Sequence, residues 1–543
     1  MPSSRPGHRR MAEIRCIGRA ASPGVAIGTL HVLEAITAGN RSAGTPAQEQ
    51  VALVDAIDGA KIALTEVIST GEGAAVEILS FQLAMLEDEA LTAPAQAEIA
   101  AGMPADRAWR QALDAEIAGY AASDDEYFRA RISDLEDIRD GVLRQLSGHA
   151  PNALPEGAII AAEDLTPSRF LSHDWRRGGA IALTKGSPAS HVAMLARARH
   201  VPMVVGIDFD PAKLKSGASV IVDGEAGIVV LEPEPASHRL ASSKIADVAR
   251  AEAEAQHFLK RPAVTLDGTT ISVMINLASP EELVGLDPAI CDGIGLVRTE
   301  LLFHGGHGLP SEDQQYAIYR RILEWAAGRP VIVRTLDAGG DKPIPGVTED
   351  GEGNPFLGLR GLRLSLKHPE LFRTQLRALC RAASAGQLKI MLPMVTVPAE
   401  LEAARAHLDA VVADLARGSI AHKRPPLGIM VEVPSVGLTP ERFAADFFSI
   451  GSNDLTQYVM AAARDLASVA HLADAKDPAV LSLIARVAAH GATHGIEVSL
   501  CGDAGSDPGL VPYLLRAGLR RLSAAPRAVG RVKAAIAGVD LRA

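Results

Sequence analysis

A loop of small residues, Lys185-Gly186-Ser187-Pro188-Ala189-Ser190, runs into a single histidine, His191. An apolar helical pattern starts at once with Val192-Ala193-Met194-Leu195-Ala196. Gly186 and Pro188 break any strand that precedes them, and Ser190 is placed to cap the helix. His191 then falls on the first turn, where unpaired backbone N–H groups face outward. That place suits a side chain that must carry negative charge, as a phosphorylated imidazole does. By itself, a histidine at a helix start is more often structural or solvent-exposed than chemical.

A second set of reactive groups recurs where short apolar runs stop. Arg298-Thr299-Glu300, Arg334-Thr335-Leu336-Asp337, Glu432, Gly451-Ser452-Asn453-Asp454 and Cys501-Gly502-Asp503 each stand at such an end. Arginine forks match phosphate and carboxylate oxygens. Glu432 and Asp454 offer hard oxygen ligands for Mg²⁺, which neutralises phosphate and stabilises a developing enolate. Lys342 adds positive charge from the glycine-rich stretch 339–343, and Asn453 is placed to orient a phosphoryl group. Cys501 is placed to protonate an enolate carbon. A lone cysteine is as a rule a small buried hydrophobe; its position at a strand end, before a glycine, singles this one out.

Those runs number eight: 271–276, 293–298, 331–335, 389–393, 428–433, 447–450, 497–501 and 521–523. Most are separated by enough chain for a helix. The pattern predicts a (β/α)₈ barrel with its site at the strand C-termini. The stretches 339–343 and 354–360 read as extended loops over that site.

Ahead of the barrel, 14–33 alternates around Ser22-Pro23-Gly24 and predicts one or two strands. After a small-residue linker at 38–46 the period becomes helical, through Val51, Val54, Ile57, Ile62, Leu64, Val67 and Ile68. Further helices are predicted at 75–91, 104–118 and 123–147, a four-helix module over about 36–147. On the last of these, Arg131, Asp134 and Asp137 share one face and read as a solvated, ion-paired surface. A strand at 158–161 leads to Asp164-Leu165-Thr166-Pro167-Ser168, where Thr166 can cap a helix with Pro167 at its first position. Strands at 218–223 and 227–231 follow. The linker Glu232-Pro233-Glu234-Pro235 then opens a helix at 236–259. A rigid carrier that visits two places needs such a connection.

The 543 residues allow two to four domains, and 48% hydrophobic residues allow a sizeable core. A net charge of −11 argues against nucleic acid as the main partner. Four widely spaced cysteines form neither a metal spacing nor a disulfide framework, which fits a reducing compartment. No run is long enough to cross a membrane. The first ten residues are basic and polar without an apolar stretch behind them, so they read as a tail or as chain ahead of a start at Met11, not as a secretory signal.

Several strings carry a resemblance. The segment from Gly186 to His191, continued by Val201-Pro202-Met203-Val204-Val205-Gly206, resembles the phosphohistidine segment of the phosphoenolpyruvate-utilising enzymes. Gly18-x-x-Ala21-Ser22-Pro23-Gly24-x-Ala26-x-Gly28, the stretch 292–300 and the stretch 446–458 resemble, within them, the enzyme I family of the bacterial sugar phosphotransferase system. The likeness runs from Ile17 onward. It implies a multidomain α/β fold: a swivelling phosphohistidine β/α domain with an inserted helical subdomain, followed by a (β/α)₈ TIM barrel. The implied parts are a phosphohistidine domain at 12–35 and 148–233, a helical subdomain at 36–147 that binds the phosphocarrier protein HPr, a linker helix at 234–262, and a barrel at 263–543. The barrel would bind phosphoenolpyruvate and Mg²⁺ and form a homodimer.

The same resemblance implies a cytoplasmic phosphoenolpyruvate-protein phosphotransferase serving sugar transport. His191 would take the phosphoryl group on Nε2, with Thr166 and Ser190 beside it. Arg298, Arg334, Lys342, Asn453, Asp454 and Arg464 would hold phosphoenolpyruvate, Glu432 and Asp454 the metal, and Cys501 the proton for pyruvate. Four departures stand out. Ala189 replaces a hydroxyl residue, Ala463 replaces an aspartate before Arg464, Gly502-Asp503 replaces Gly-Glu, and the segment between Glu432 and Asp446 is about two residues short. Rival readings are a nitrogen-branch relative lacking its GAF sensor domain, a regulatory homologue without turnover, and a pyruvate phosphate dikinase or phosphoenolpyruvate synthase. The dikinases need a large ATP-grasp domain, for which no glycine-rich region precedes His191.

Overall fold

The computed structural model describes every residue except 1–12, 34–43, 71–73, 123–130, 149–154, 189, 210–213, 215, 304–308, 341, 343, 345, 350, 465, 467 and 543. The expectations for the basic tail, most of the first linker, the start of the helix at 123–147, and Ala189, Asp341 and Pro343 lie outside the described residues. The chain forms two compact units that divide between Val248 and Ala249.

The first unit is built on an eight-stranded sheet. Its strands are β1 (Ile14–Ile17), β2 (Arg19–Ser22), β3 (Val25–Val32), β4 (Ile159–Ala162), β5 (Ala180–Leu183), β6 (Met203–Val205), β7 (Ser219–Asp223) and β8 (Ile228–Leu231), in the order β1-β8-β7-β3-β4-β5-β6-β2. β3 to β6 are parallel, and the flanking strands are antiparallel. β4 and β5 are apolar and buried at every position, as strands covered on both faces must be.

Between β3 and β4 the chain makes α1 (Pro46–Thr70), α2 (Ala74–Glu87), α3 (Glu89–Ala100), α4 (Ala105–Ala121) and α5 (Ile132–Ser147). The described residues thus hold five helices where the periodicity predicts four. The predicted run 75–91 is broken at Asp88, whose carboxylate accepts from the Ala90 N–H at 2.8 Å and starts a new helix. Pro94 lies inside that helix, which hid it from a sequence reading. One apolar cluster continues from these helices, through Leu135, Ile138 and Val142, into Leu165, Phe170 and Val192 beside the sheet. Two further helices here are α6 (Pro167–Leu171) and α7 (His191–Ala198); α8 (Pro235–Phe258) contains the division between the units.

In the second unit, β9 (Ala263–Val264) pairs antiparallel with the first barrel strand. The barrel strands are β10 (Thr270–Leu277), β11 (Ile294–Val297), β12 (Val331–Arg334), β13 (Leu388–Leu392), β14 (Leu427–Val431), β15 (Phe447–Gly451), β16 (Glu497–Cys501) and β17 (Arg521–Ala524). All are parallel, and β10 pairs with both β11 and β17, which closes the barrel. Each coincides within two residues at either end with one of the eight predicted runs. Leu296, Ile332, Met391, Met430, Phe447 and Cys501 pack inside it. Gly428 makes room there: a Cβ at that position would lie 2.5 Å from the Phe447 ring. A larger apolar cluster joins the outer strand faces to the surrounding helices, among them Glu312–Ala326, Pro369–Ala382 and Pro398–Arg417. Active-site side chains placed at strand ends are therefore held by two packed layers.

Candidate functional site

The site residues fall into two groups, one in each unit. At the C-terminal mouth of the barrel, Arg298, Arg334, Lys342, Glu432, Asn453, Asp454, Arg464 and Cys501 line one cavity of about 290 Å³. The eight barrel residues expected to hold substrate, metal or proton are therefore brought together.

Buried charge organises the floor of this cavity. Arg334 is buried, pairs with Glu300, and reaches Asp337 Oδ2 at 2.9 Å. Asp337 also takes Arg360 Nε at 3.0 Å and Lys342 Nζ at 3.5 Å. These cations hold its carboxyl far below the usual carboxylate range against the opposing effect of burial. Arg360 is itself fully buried and donates from Nη2 to Asp454 Oδ2 at 3.0 Å. Arg464 Nη1 stands 3.6 Å from Asp454 Oδ1. The Arg298 guanidinium, by contrast, makes no ion pair among the described residues.

Arg360, Asp337 and Glu300 carry this network, and the sequence reading assigned none of them a role. Asp337 and Glu300 were visible at strand ends. Arg360 closes the loop at 354–360, and only barrel closure shows that it bridges the ends of β12 and β15. A fully buried arginine must be paired, and its partners lie 23 and 94 residues away.

Glu432 follows β14. Its Oε1 accepts from the Met394 N–H at 2.6 Å, and its Oε2 is buried without a partner among the described residues. Met394 adopts φ +57°, a backbone strain of the kind found where a structure fixes a functional contact. Burial first, then the neighbouring Asp454 and Asp337 charges, push the Glu432 carboxyl up to about 8. Among the described residues, no three carboxylate, imidazole or thiol groups converge as a complete protein cage for a metal. The Glu432 and Asp454 pair suits Mg²⁺ instead, which typically takes one or two carboxylates and fills its shell with water and substrate oxygens. The orphaned Glu432 oxygen fits that use.

Cys501 ends β16. Its thiol is buried and receives a hydrogen bond from the Ser449 hydroxyl at 3.4 Å. Burial pushes it up to about 11, so it holds its proton at neutral pH. Asn453 and Asp503 form a reciprocal pair: Asn453 Nδ2 donates to Asp503 Oδ2 at 2.9 Å, and the Asp503 N–H donates to Asn453 Oδ1 at 2.9 Å. The aspartate at 503 thus fixes the Asn453 amide.

In the first unit, Ser190 caps α7 by accepting from the Ala193 N–H at 3.2 Å, and His191 is the first helical residue, as predicted. Arg197 Nη1 donates to Ala21 O at 2.6 Å and Pro188 O at 2.8 Å, and Arg19 Nη2 donates to Gly186 O at 2.8 Å. These bonds fasten the histidine loop to β2. Thr166 precedes Pro167 at the start of α6, but its hydroxyl is buried and makes no capping bond.

The expected solvated face of the last helix is corrected. Asp134 and Asp137 are buried. Gln82 of α2 donates to Asp134 Oδ1 at 3.2 Å and Asp137 Oδ2 at 3.3 Å, and Arg131 pairs with Asp134 at 3.2 Å. Asp137 takes the Ser168 N–H at 2.8 Å and the Ser168 hydroxyl at 2.5 Å. Burial still pushes the Asp137 carboxyl up. The face is covered because α2 and the 164–168 loop pack on it, which spacing within one helix cannot reveal.

Three family models match: PEP-utilising enzyme, N-terminal, over residues 17–131; PEP-utilising enzyme, mobile domain, over 154–227; and PEP-utilising enzyme, PEP-binding domain, over 252–541. A protein of Geobacillus stearothermophilus named phosphoenolpyruvate-protein phosphotransferase is 37% identical over 520 residues, covering 93% of this chain and 90% of that one. Proteins of the same name from Haloferax volcanii and Bacillus subtilis are 38% and 35% identical, covering 84% and 94% of this chain and 80% and 92% of theirs.

Proposed function

The chain belongs to the PEP-utilising enzyme family, among relatives named phosphoenolpyruvate-protein phosphotransferase, and from that premise we propose that it moves the phosphoryl group of phosphoenolpyruvate to His191 and on to the histidine of the phosphocarrier HPr, releasing pyruvate. The observation that carries this reading is the barrel cavity, where arginines for an anion, a carboxylate pair for a cation and a protonated thiol line one space.

Arg298, which makes no ion pair among the described residues, is placed to take substrate oxygens. Arg334, Lys342 and Arg464 add positive charge around the phosphate and carboxylate. Asn453, fixed by Asp503, orients the phosphoryl oxygens. Glu432 and Asp454 would hold Mg²⁺, which when bound would supply charge neutralisation for the phosphate and the enolate. The Nε2 lone pair of His191 forms the N–P bond while the bridging O–P bond breaks, leaving its electron pair on the enolate. The Cys501 thiol gives its proton to the enolate carbon, which makes pyruvate, and solvent restores the thiol.

The division of labour assigned to the chain is a phosphohistidine domain at 12–35 and 148–233, an HPr-binding helical subdomain at 36–147, a linker helix at 234–262 and a substrate-binding, dimerising barrel at 263–543. A cytoplasmic role in sugar transport belongs to the same reading and rests on the resemblance. No helix among the described residues is long and apolar enough to cross a membrane. Rapid-quench turnover tests the proposal. Phosphoenolpyruvate with Mg²⁺ should give a burst of about one pyruvate per chain without any carrier. His191→Ala should abolish the burst, and an undiminished burst in that variant would defeat the reading.

A further inference from the structure

We propose that Asp134 is a positioning residue for His191, holding the imidazole with its proton on Nδ1 so that Nε2 presents its lone pair. This rests on reading His191 as the phosphoryl acceptor. Asp134 Oδ1 lies 3.8 Å from His191 Nδ1, and it is the only carboxylate paired with that ring among the described residues. Nδ1 is buried and makes no hydrogen bond among the described residues, whereas the side chain as a whole keeps 22% exposure. The outward nitrogen is therefore Nε2.

The other candidate partners are not engaged with the ring. The Ser190 hydroxyl is taken by the Ala193 N–H, and the Thr166 hydroxyl, which lies toward Asp137, makes no hydrogen bond to the ring among the described residues. Asp134 itself is held in place by Gln82 and Arg131. At 3.8 Å the pair is an ion-pair contact, and a hydrogen bond from Nδ1–H requires the two atoms about 1 Å closer. A carboxylate that accepts Nδ1–H selects the tautomer with a free Nε2. It acts again during transfer. Once Nε2 bonds to phosphorus, the ring carries a positive charge with its proton on Nδ1, and the buried Asp134 charge faces it. The helix α5 thereby contributes to the chemistry of a histidine carried on α7.

Histidine-selective ¹⁵N spectra of the full chain report the tautomer, and rapid-quench labelling by phosphoenolpyruvate and Mg²⁺ reports the rate. Wild type should show Nδ1–H. Asp134→Ala should move the ring toward Nε2–H and slow labelling by about 10²-fold, the scale of losing an orienting carboxylate. Asp134→Asn keeps an oxygen acceptor and should lose only about tenfold, which also covers the case of a poorly folded alanine variant. Asp137→Asn should lower thermal stability yet leave the tautomer unchanged, because its carboxylate is taken by Ser168 and Gln82 and makes no pair with the ring. A folded Asp134→Ala chain with wild-type tautomer and rate overturns the inference. Label on another residue, with the tautomer shift still seen, would overturn the functional reading and leave the positioning role standing.

Discussion

Ser449 donates its hydroxyl hydrogen to the Cys501 thiol across 3.4 Å, from the adjacent barrel strand. The thiol is thus held inside the cavity in a fixed place, with its proton retained by burial. Cys501→Ala should bind phosphoenolpyruvate nearly as well as wild type, since the arginines carry that binding. Its pyruvate formation should fall by about 10²–10⁴-fold, the usual cost of removing a positioned acid. Rapid-quench assays beside thermal melts separate this from a packing role, in which a slightly less stable variant would turn over at the wild-type rate.

Arg360 and Arg298 should behave oppositely when replaced by methionine. Arg360 is buried between Asp337 and Asp454, and breaking one partner of such a network costs about 3–5 kcal/mol. Denaturant unfolding of the Arg360→Met chain should show that loss in the barrel transition. Arg298 makes no ion pair among the described residues. Arg298→Met should stay within about 0.5 kcal/mol of wild type while weakening phosphoenolpyruvate binding, measured by calorimetry.

Glu432 gives a pH dependence of definite sign. Its folded carboxyl titrates near 8, above the ordinary 4.5, so between those values the folded chain binds more protons than the unfolded one. Metal-free stability should therefore fall as pH rises through that window, with the loss complete above about 8. Mg²⁺ competes with the same proton, so its affinity should rise with pH up to about 8 and binding should release protons. Calorimetry in buffers of different ionisation enthalpy reads that release. Glu432→Gln should remove both the stability slope and the proton release; persistence of either would assign it to another group.

The barrel was legible because each strand is a short apolar run that stops at charged or polar residues, and closure only had to bring those ends together. His191 was legible because Ser190 and the helix that follows form a local unit. Asp134 was not. Its spacing with Arg131 and Asp137 is the same whether a helix face meets water or another layer, and only the packing of Gln82 and the 164–168 loop decides. Arg360 ends the 354–360 loop, but its bridge between Asp337 and Asp454 is a property of the closed barrel and not of the local sequence. Helix α3 was missed because Pro94 and Thr92 speak against a helix that Asp88 nonetheless starts.

The central claim is that phosphoryl from phosphoenolpyruvate lands on His191. The most direct measurement exposes the full chain to labelled phosphoenolpyruvate with Mg²⁺, digests it under alkaline conditions and maps the label by mass spectrometry. The account predicts an acid-labile phosphate on the peptide that contains His191, lost in His191→Ala. Label on His173 or His200, or a chain that releases pyruvate with no phosphohistidine, would contradict it.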